Sequence, residues 1–306
     1  MLSRHALNCF LLTIPVSRCL SISQAPIQYL RIVSAAQSIP HPEKKRGEDA
    51  FFMSNYAFGV ADGVGGWRQH GVDPGEFSRT AGLVENMNKA ITKPVASKED
   101  LKWKAIAATQ STCDSVKLGS STLCSVSVGT NNKVYFYNIG DSGLYILRYE
   151  QPRDKETGKP LSDVKEWCIH DFTPKQCHSF NFPFQVGKGA DNPANGLSDL
   201  LDVIPGDLCL VASDGLFDNL WPRDLMTLLN TFWKDGFPSD TDKTKQENLQ
   251  EMVNAIVGVT LKCSCSNNQS PFEHEATECG FKYEGGKPDD ITAVLSLFLS
   301  SVSYLE

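Results

Sequence analysis

The sequence predicts an α+β domain, on three observations. Segments with strand character and segments with helical periodicity fall into separate blocks and do not alternate. The apolar share, 41% of 306 residues, is enough for a packed core. No internal repeat or low-complexity block breaks the pattern.

The elements follow in order. Residues 29–33 suit an opening strand, and 50–53 with 57–61 a short strand pair. Asp73-Pro74-Gly75-Glu76 opens a helix expected to run to about Ala90, with Asp as cap and Pro in the first turn. Ser97 with Asp100 opens a second, through Leu101, Ala105 and Ala108 to Val116. Cys124, Val126 and Val128 then alternate with Ser125 and Ser127, which predicts a half-buried strand. Strands over 134–139 and 144–148 follow, joined by a turn, and 208–212 is short and apolar enough for a buried strand. Leu249, Met252, Val253, Ile256, Val257 and Thr260 keep the spacing of an amphipathic helix. Residues 291–299 make a closing strand, and 151–163 and 235–245 are polar loops.

Charge and cysteine usage narrow the partners. The net charge is −7 and no basic stripe appears, which argues against nucleic acid as a partner. Residues 1–42 contain Arg4, Arg18 and Arg31, several serines and no acid. That composition is expected of a mitochondrial targeting segment, here residues 1–28, preceding a domain over 29–306. A secretory signal and a plain flexible terminus are the competing readings, since 10–16 is a short apolar run. No segment reads as transmembrane. The ten cysteines lack an even framework and are expected as buried thiols, although Cys263, Cys265, His274 and Cys279 could hold zinc.

One local arrangement recurs: a strand ends, small residues follow, and an aspartate stands beside Gly or Ser. It occurs at Ala61-Asp62-Gly63, Gly140-Asp141-Ser142 and Ser213-Asp214-Gly215. Glu48-Asp49 precedes the first strand pair, Asp289-Asp290 the last strand, and Asp218 stands four residues after Asp214, one helical turn on. A carboxylate at the end of a buried strand is costly unless it is paired, and several together repel. A hard divalent cation with oxygen ligands, Mg²⁺ or Mn²⁺, would answer both problems. At Gly63 the missing Cβ would let a carbonyl approach such an ion. Taken singly, each Asp-Gly or Asp-Ser is better read as a plain turn; their joint presence with the further acids is what points to an ion.

Arg46-Gly47-Glu48-Asp49, Asp62-Gly63-Val64-Gly65-Gly66-Trp67, Gly119-Ser120-Ser121-Thr122, Asn138-Ile139-Gly140-Asp141-Ser142, Ser213-Asp214-Gly215-Leu216-Phe217-Asp218-Asn219 and Gly285-Gly286-Lys287-Pro288-Asp289-Asp290-Ile291-Thr292 resemble, in order, the motifs of type 2C protein phosphatases. The segments 60–67, 71–74 and 180–185 are similar in particular to its compact mitochondrial branch. The resemblance implies two antiparallel β-sheets packed as a sandwich and flanked by α-helices. It implies a serine/threonine phosphatase in which hydroxide held by two metal ions attacks phosphorus. Asp62 would bridge the two ions, Glu48 and the Gly63 carbonyl would serve one, and Asp214 and Asp289 the other. Asp49 would orient the water, and Asp141 and Asp218, with Asp214, match a weaker third metal site. Implied partners are phosphoserine and phosphothreonine proteins of the mitochondrial matrix, such as those of coenzyme Q synthesis, acted on by a monomer.

The motifs also depart from the family. Where many members carry a phosphate-binding Arg this chain has Lys44, within the cluster Lys44-Lys45-Arg46, and lysine lacks the bidentate fork. Where many carry a His that can act as general acid it has Val64, with His70 a distant substitute. No cysteine has an Arg six residues on, and no Gly-x4-Gly-Lys-Ser/Thr loop occurs, so cysteine-based and P-loop chemistry are excluded. Alternatives are a weakly active phosphatase-like adaptor for phosphoproteins, which the complete set of acids disfavours, and a metal-dependent nuclease, which the negative charge disfavours.

Overall fold

A computed structural model describes residues 27–79, 82–154, 156–238 and 241–303. In chain order the strands are β1 (Ile27–Ile39), β2 (Ala50–Met53), β3 (Ala57–Ala61), β4 (Ser120–Ser121), β5 (Leu123–Val128), β6 (Val134–Ile139), β7 (Gly143–Glu150), β8 (Glu166–Phe172), β9 (Cys177–Ser179), β10 (Phe182–Pro183), β11 (Val186–Gly187), β12 (Leu197–Leu201), β13 (Leu208–Ala212) and β14 (Ile291–Ser303). The helices are α1 (Gly75–Ser78), α2 (Leu83–Ala90), α3 (Lys98–Ser115), α4 (Asp214–Phe217), α5 (Pro222–Phe232), α6 (Asp242–Ser264) and α7 (Pro271–Glu278).

Ten strands form two five-stranded antiparallel sheets, ordered β1-β14-β13-β7-β8 and β12-β6-β5-β3-β2. Strand alternation sends one set of side chains inward between the sheets and the other outward under the helices. Phe58, Val60, Cys124 and Val126 meet Leu144, Ile146, Val211, Val294 and Phe298 between the sheets. On the outer face of the first sheet, Leu208, Leu210, Leu295 and Leu297 pack against Leu249, Met252, Val253 and Ile256 of α6. On the outer face of the second, Leu123, Tyr137 and Ile139 pack against Leu83, Met87, Leu101 and Ala105 of α2 and α3. The α+β sandwich implied by the resemblance is therefore the observed architecture.

Most predicted elements lie where the periodicity puts them, and Ser97 caps α3 by accepting from the Asp100 amide at 3.3 Å. Five expectations need correction. The helix from Asp73 is interrupted: α1 ends at Ser78, Arg79 is extended, and the chain restarts at Leu83. Gly82 accommodates the break, because the backbone there passes so close to α1 that a Cβ would overlap the Phe77 carbonyl. Strand β5 is buried on both faces, not one, because its serines lie beneath helices; Ser127 Oγ donates to Tyr56 O at 3.1 Å. Strands β6 and β7 do not form a hairpin: the chain crosses from one sheet to the other at Gly140-Asp141-Ser142. The second polar loop is shorter than expected, since α6 starts at Asp242 under a Thr241 cap. The strand expected over 29–33 is longer, Ile27–Ile39. Residues 1–26 of the expected targeting segment, with Cys9 and Cys19, lie outside the described residues, and its last two, Ile27 and Gln28, are already part of β1.

Phe298 is fully buried and meets Phe58 with ring centroids 6.4 Å apart. Truncation to Phe298→Ala should destabilise the protein by about 3–5 kcal/mol, read as a lower midpoint of urea unfolding at unchanged slope.

Candidate metal centre

Strand register gathers the acidic residues at one end of the sandwich. Ala50 pairs with Ala61, and Leu123 with Ile139, so the start of β2, the end of β3 and the end of β6 lie together. Ala212 pairs with both Gly143 and Ala293, which places the end of β13 beside the starts of β7 and β14. Glu48-Asp49, Asp62, Asp141, Asp214 and Asp289-Asp290 leave the strands at these ends. Asp218 follows one turn after Asp214, its amide bonded to the Asp214 carbonyl at 2.8 Å.

A cleft of about 300 Å³ opens there, lined by Glu48, Asp62, Gly63, Asp141, Asp214 and Asp289, with Lys44 and Val64 at its wall. Asp62 is fixed through its backbone: its amide donates to Thr122 Oγ1 at 3.2 Å, and its carbonyl accepts from the Thr122 amide at 2.9 Å and Ser121 Oγ at 2.8 Å. Thr122 is itself held by Ser142, 2.7 Å away. At Gly63 a Cβ would overlap the Pro74 carbonyl oxygen. Close packing at that turn thus demands glycine independently of any ion.

Asp49 lies below the cleft, with Ser213 Oγ donating to its Oδ2 at 2.6 Å. Asp290 is a structural pin: it accepts from the amides of His41 at 2.6 Å and Glu48 at 2.7 Å, and from Lys44 Nζ at 3.0 Å. Lys44 also reaches Glu48 Oε2 at 2.8 Å, and Arg68 binds the other Glu48 oxygen. Lys45 and Arg46 are exposed, so Lys44 alone of the basic cluster faces the cleft. His70 is exposed and packs edge-on to Trp67.

The donor set suits hard divalent cations. Every candidate ligand is an oxygen, and Asp49 Oδ1, Asp141 Oδ1 and Asp214 Oδ1 are buried without a hydrogen-bond partner. Burial pushes the Asp49 carboxyl up to about 7, Asp141 up to about 8 and Asp289 up to about 6. Burial and the charges of Asp49, Asp214, Asp289 and Asp141 drive Asp62 well above the usual aspartate range. Asp214 differs: burial, the largest single influence, opposes its ionisation, but the Lys287 ammonium together with Asp62 and the Lys175 charge holds its carboxyl below the usual range. Among the described residues no three His, Cys, Asp or Glu side chains are arranged around a common point for an ion. Lysines draw the oxygens to themselves instead, with Lys287 Nζ 2.6 Å from Asp214, 2.8 Å from Asp218 and 3.3 Å from Asp289. Cys263, Cys265 and Cys279 are free thiols and do not converge with His274 on a zinc geometry.

The sequence reading missed the positioning roles of Asp290, Ser213, Thr122 and Lys287, although all four stand inside the motifs it singled out. Nothing local marked Lys175, which donates to Asp218 Oδ1 at 2.9 Å.

No family model matches the chain. It is 33% identical to probable protein phosphatase 2C 55 of Arabidopsis thaliana, over 89% of this chain and 53% of that protein. It is 34% identical to protein phosphatase PTC7 homolog fig of Drosophila mojavensis, over 83% of this chain and 78% of that protein. The chain spans only 53% of that first relative and 60% of a second plant relative, probable protein phosphatase 2C 80 of Arabidopsis thaliana. Among solved structures, the photosystem II phosphatase PBCP superposes with a TM-score of 0.68 at 24% identity, over 87% of this chain and 98% of that chain. The catalytic domain of the serine/threonine phosphatase PstP, in complex with two manganese ions, superposes at 0.55 with 15% identity, over 88% and 99%. At these identities the structures speak for the fold.

Free carboxyls of the unfolded chain ionise near pH 3.9, whereas Asp289, Asp49 and Asp141 keep their protons to about 6, 7 and 8. Between those limits the folded state binds more protons than the unfolded, so this contribution to stability falls as pH rises. In chelator the melting temperature should decline from about pH 4.5 to 8, and saturating Mn²⁺ should remove the decline. A flat profile in chelator would mean that these carboxyls are already ionised.

Proposed function

The chain belongs to the type 2C protein phosphatase family, and we propose that it is a metal-dependent serine/threonine protein phosphatase acting on mitochondrial phosphoproteins. The observation that carries this reading is the convergence of carboxylates from separate strand ends on one cleft, with three buried oxygens unpartnered. On this reading Glu48, Asp62 and the Gly63 carbonyl would hold one divalent ion, and Asp62, Asp214 and Asp289 would hold the other. Two such ions, Mg²⁺ or Mn²⁺, supply Lewis-acid activation of water and neutralise charge on the phosphoryl group.

The chain's own groups do the rest. Asp49, anchored through Oδ2 by Ser213, offers Oδ1 to orient the attacking water. Lys44 sits at the cleft wall and attracts the substrate phosphate as a point charge, without the fork an arginine would bring. Val64 lines the same wall and cannot donate a proton, so the leaving serine or threonine oxygen takes its proton from solvent. Phosphoryl transfer has a loose transition state, which makes positioning and charge the main demands on the protein.

The mitochondrial part rests on the Arg- and Ser-containing, acid-free opening of residues 1–42. It makes matrix proteins, those of coenzyme Q synthesis included, the natural phosphoserine and phosphothreonine substrates, met by a monomer whose targeting segment would be cut ahead of β1 at Ile27, slightly before the 1–28 boundary read from composition. No described helix is long and apolar enough to cross a membrane.

Hydrolysis of p-nitrophenyl phosphate should require Mn²⁺ or Mg²⁺ and stop in chelator. Asp62→Asn should lower kcat/KM by more than about 100-fold, and Asp49→Asn by about 10–100-fold, as expected of an outer-sphere partner. Metal-independent turnover, or none beside intact phosphopeptide binding, would favour the adaptor alternative. Separately, residues 1–42 fused to a fluorescent protein should direct it to the matrix, and an Arg4→Glu/Arg18→Glu version should stay outside. Secretion of the fusion would overturn the mitochondrial assignment.

A further inference from the structure

The acids at the Asp218 end of the cleft are already met by cations of the chain itself. Asp218 receives Lys175 Nζ on Oδ1 at 2.9 Å and Lys287 Nζ on Oδ2 at 2.8 Å, so both its oxygens are taken. Lys287 also takes Asp214 Oδ2 at 2.6 Å and leaves Asp214 Oδ1 without a partner. Neither lysine is a loose surface chain. The Lys287 backbone is fastened to Asn219 at both ends: its amide donates to Asn219 Oδ1, and its carbonyl accepts from Asn219 Nδ2, each at 2.8 Å. Its ammonium lies 4.9 Å from the centroid of the Phe272 ring, which Phe180 packs against at 5.1 Å. Lys175 is held from its far side by Glu275 at 2.9 Å.

We propose that Lys175 and Lys287 stand in for a third metal ion, so that the centre takes two divalent ions only, around Glu48, Asp62, the free Oδ1 of Asp214 and Asp289. The inference rests on the phosphatase reading of the centre and makes it more specific. A cation between Asp141 and Asp218 would compete for its carboxylates with two ammonium groups, Lys287 largely buried and Lys175 about a third exposed, and like charges on the same oxygens repel. One or the other has to leave, and the lysines are tethered. The third site implied by Asp141, Asp214 and Asp218 is thus built from side chains.

Manganese titration of the full-length chain, with free Mn²⁺ followed by electron paramagnetic resonance, tests this. The wild type should bind two ions. The Lys175→Met/Lys287→Met variant should bind three, the added ion at least about tenfold tighter than any third ion on the wild type. Lys287→Arg, which keeps the charge, should remain at two. In chelator the double variant should melt below the wild type, and Mn²⁺ should raise its melting temperature by the larger amount. Three ions on the wild type, or superposable isotherms for wild type and double variant, would overturn the proposal. The wild-type count decides even if the double variant does not fold. A wild type that binds no manganese would remove the phosphatase reading itself, whereas an unchanged count of two or more removes only the role of the lysines.

Discussion

Mutual repulsion among carboxylates brought to one end of the sandwich governs the arrangement around them. The register leaves no choice: once Ala212 pairs with Gly143 and Ala293, and Ala50 with Ala61, the acids following or preceding those residues must share a small volume. Three apolar layers, one between the sheets and one beneath each helical face, supply the stability that lets the chain sustain this crowding. The molecule answers with cationic side chains, hydroxyl donors and protonation, and it leaves a carboxylate oxygen of each of Asp49, Asp141 and Asp214 buried and unpartnered.

Much of the fold was legible because its signals are local. The α6 face, the Ser97 cap and the β2–β3 pair each announce themselves within one turn or one strand. The aspartates were legible for the same reason, each lying beside a small residue at a strand end. What escaped were facts about neighbours remote in sequence. The burial of Ser125 and Ser127 depends on helices that precede them, so alternation alone suggested a solvated face. The break between α1 and α2 depends on Gly82 passing close to Phe77, which no propensity records. Asp141, taken singly, read better as a hairpin turn than as a ligand, and only the passage between sheets separates the two. Lys175 is tied to residues 43 and 100 positions away and carried no local mark.

Asp290 shows how the centre is held in shape without being exposed to it. It is 2% accessible, yet it fixes the entry of the Glu48-bearing loop through two backbone amides and Lys44. The adjacent Asp289 keeps its carboxyl in the cleft. Two consecutive aspartates thus divide the labour: one organises the loop and the other faces the ligand space. Gly215 makes this possible, because a Cβ there would overlap the Asp290 carbonyl. A pin of this kind is worth more than a surface ion pair, since removing one partner strands buried polar groups.

Strand β14 pairs with β1 along its whole length, Ile27 opposite Ser303 through Ile39 opposite Ile291. Assembly is therefore circular: the opening strand waits for the closing one, and Asp289 and Asp290 arrive with it. Asp289 and Asp290 therefore reach the other acids only when β14 docks on β1 across more than 250 residues of intervening chain, a long-range and slow closure.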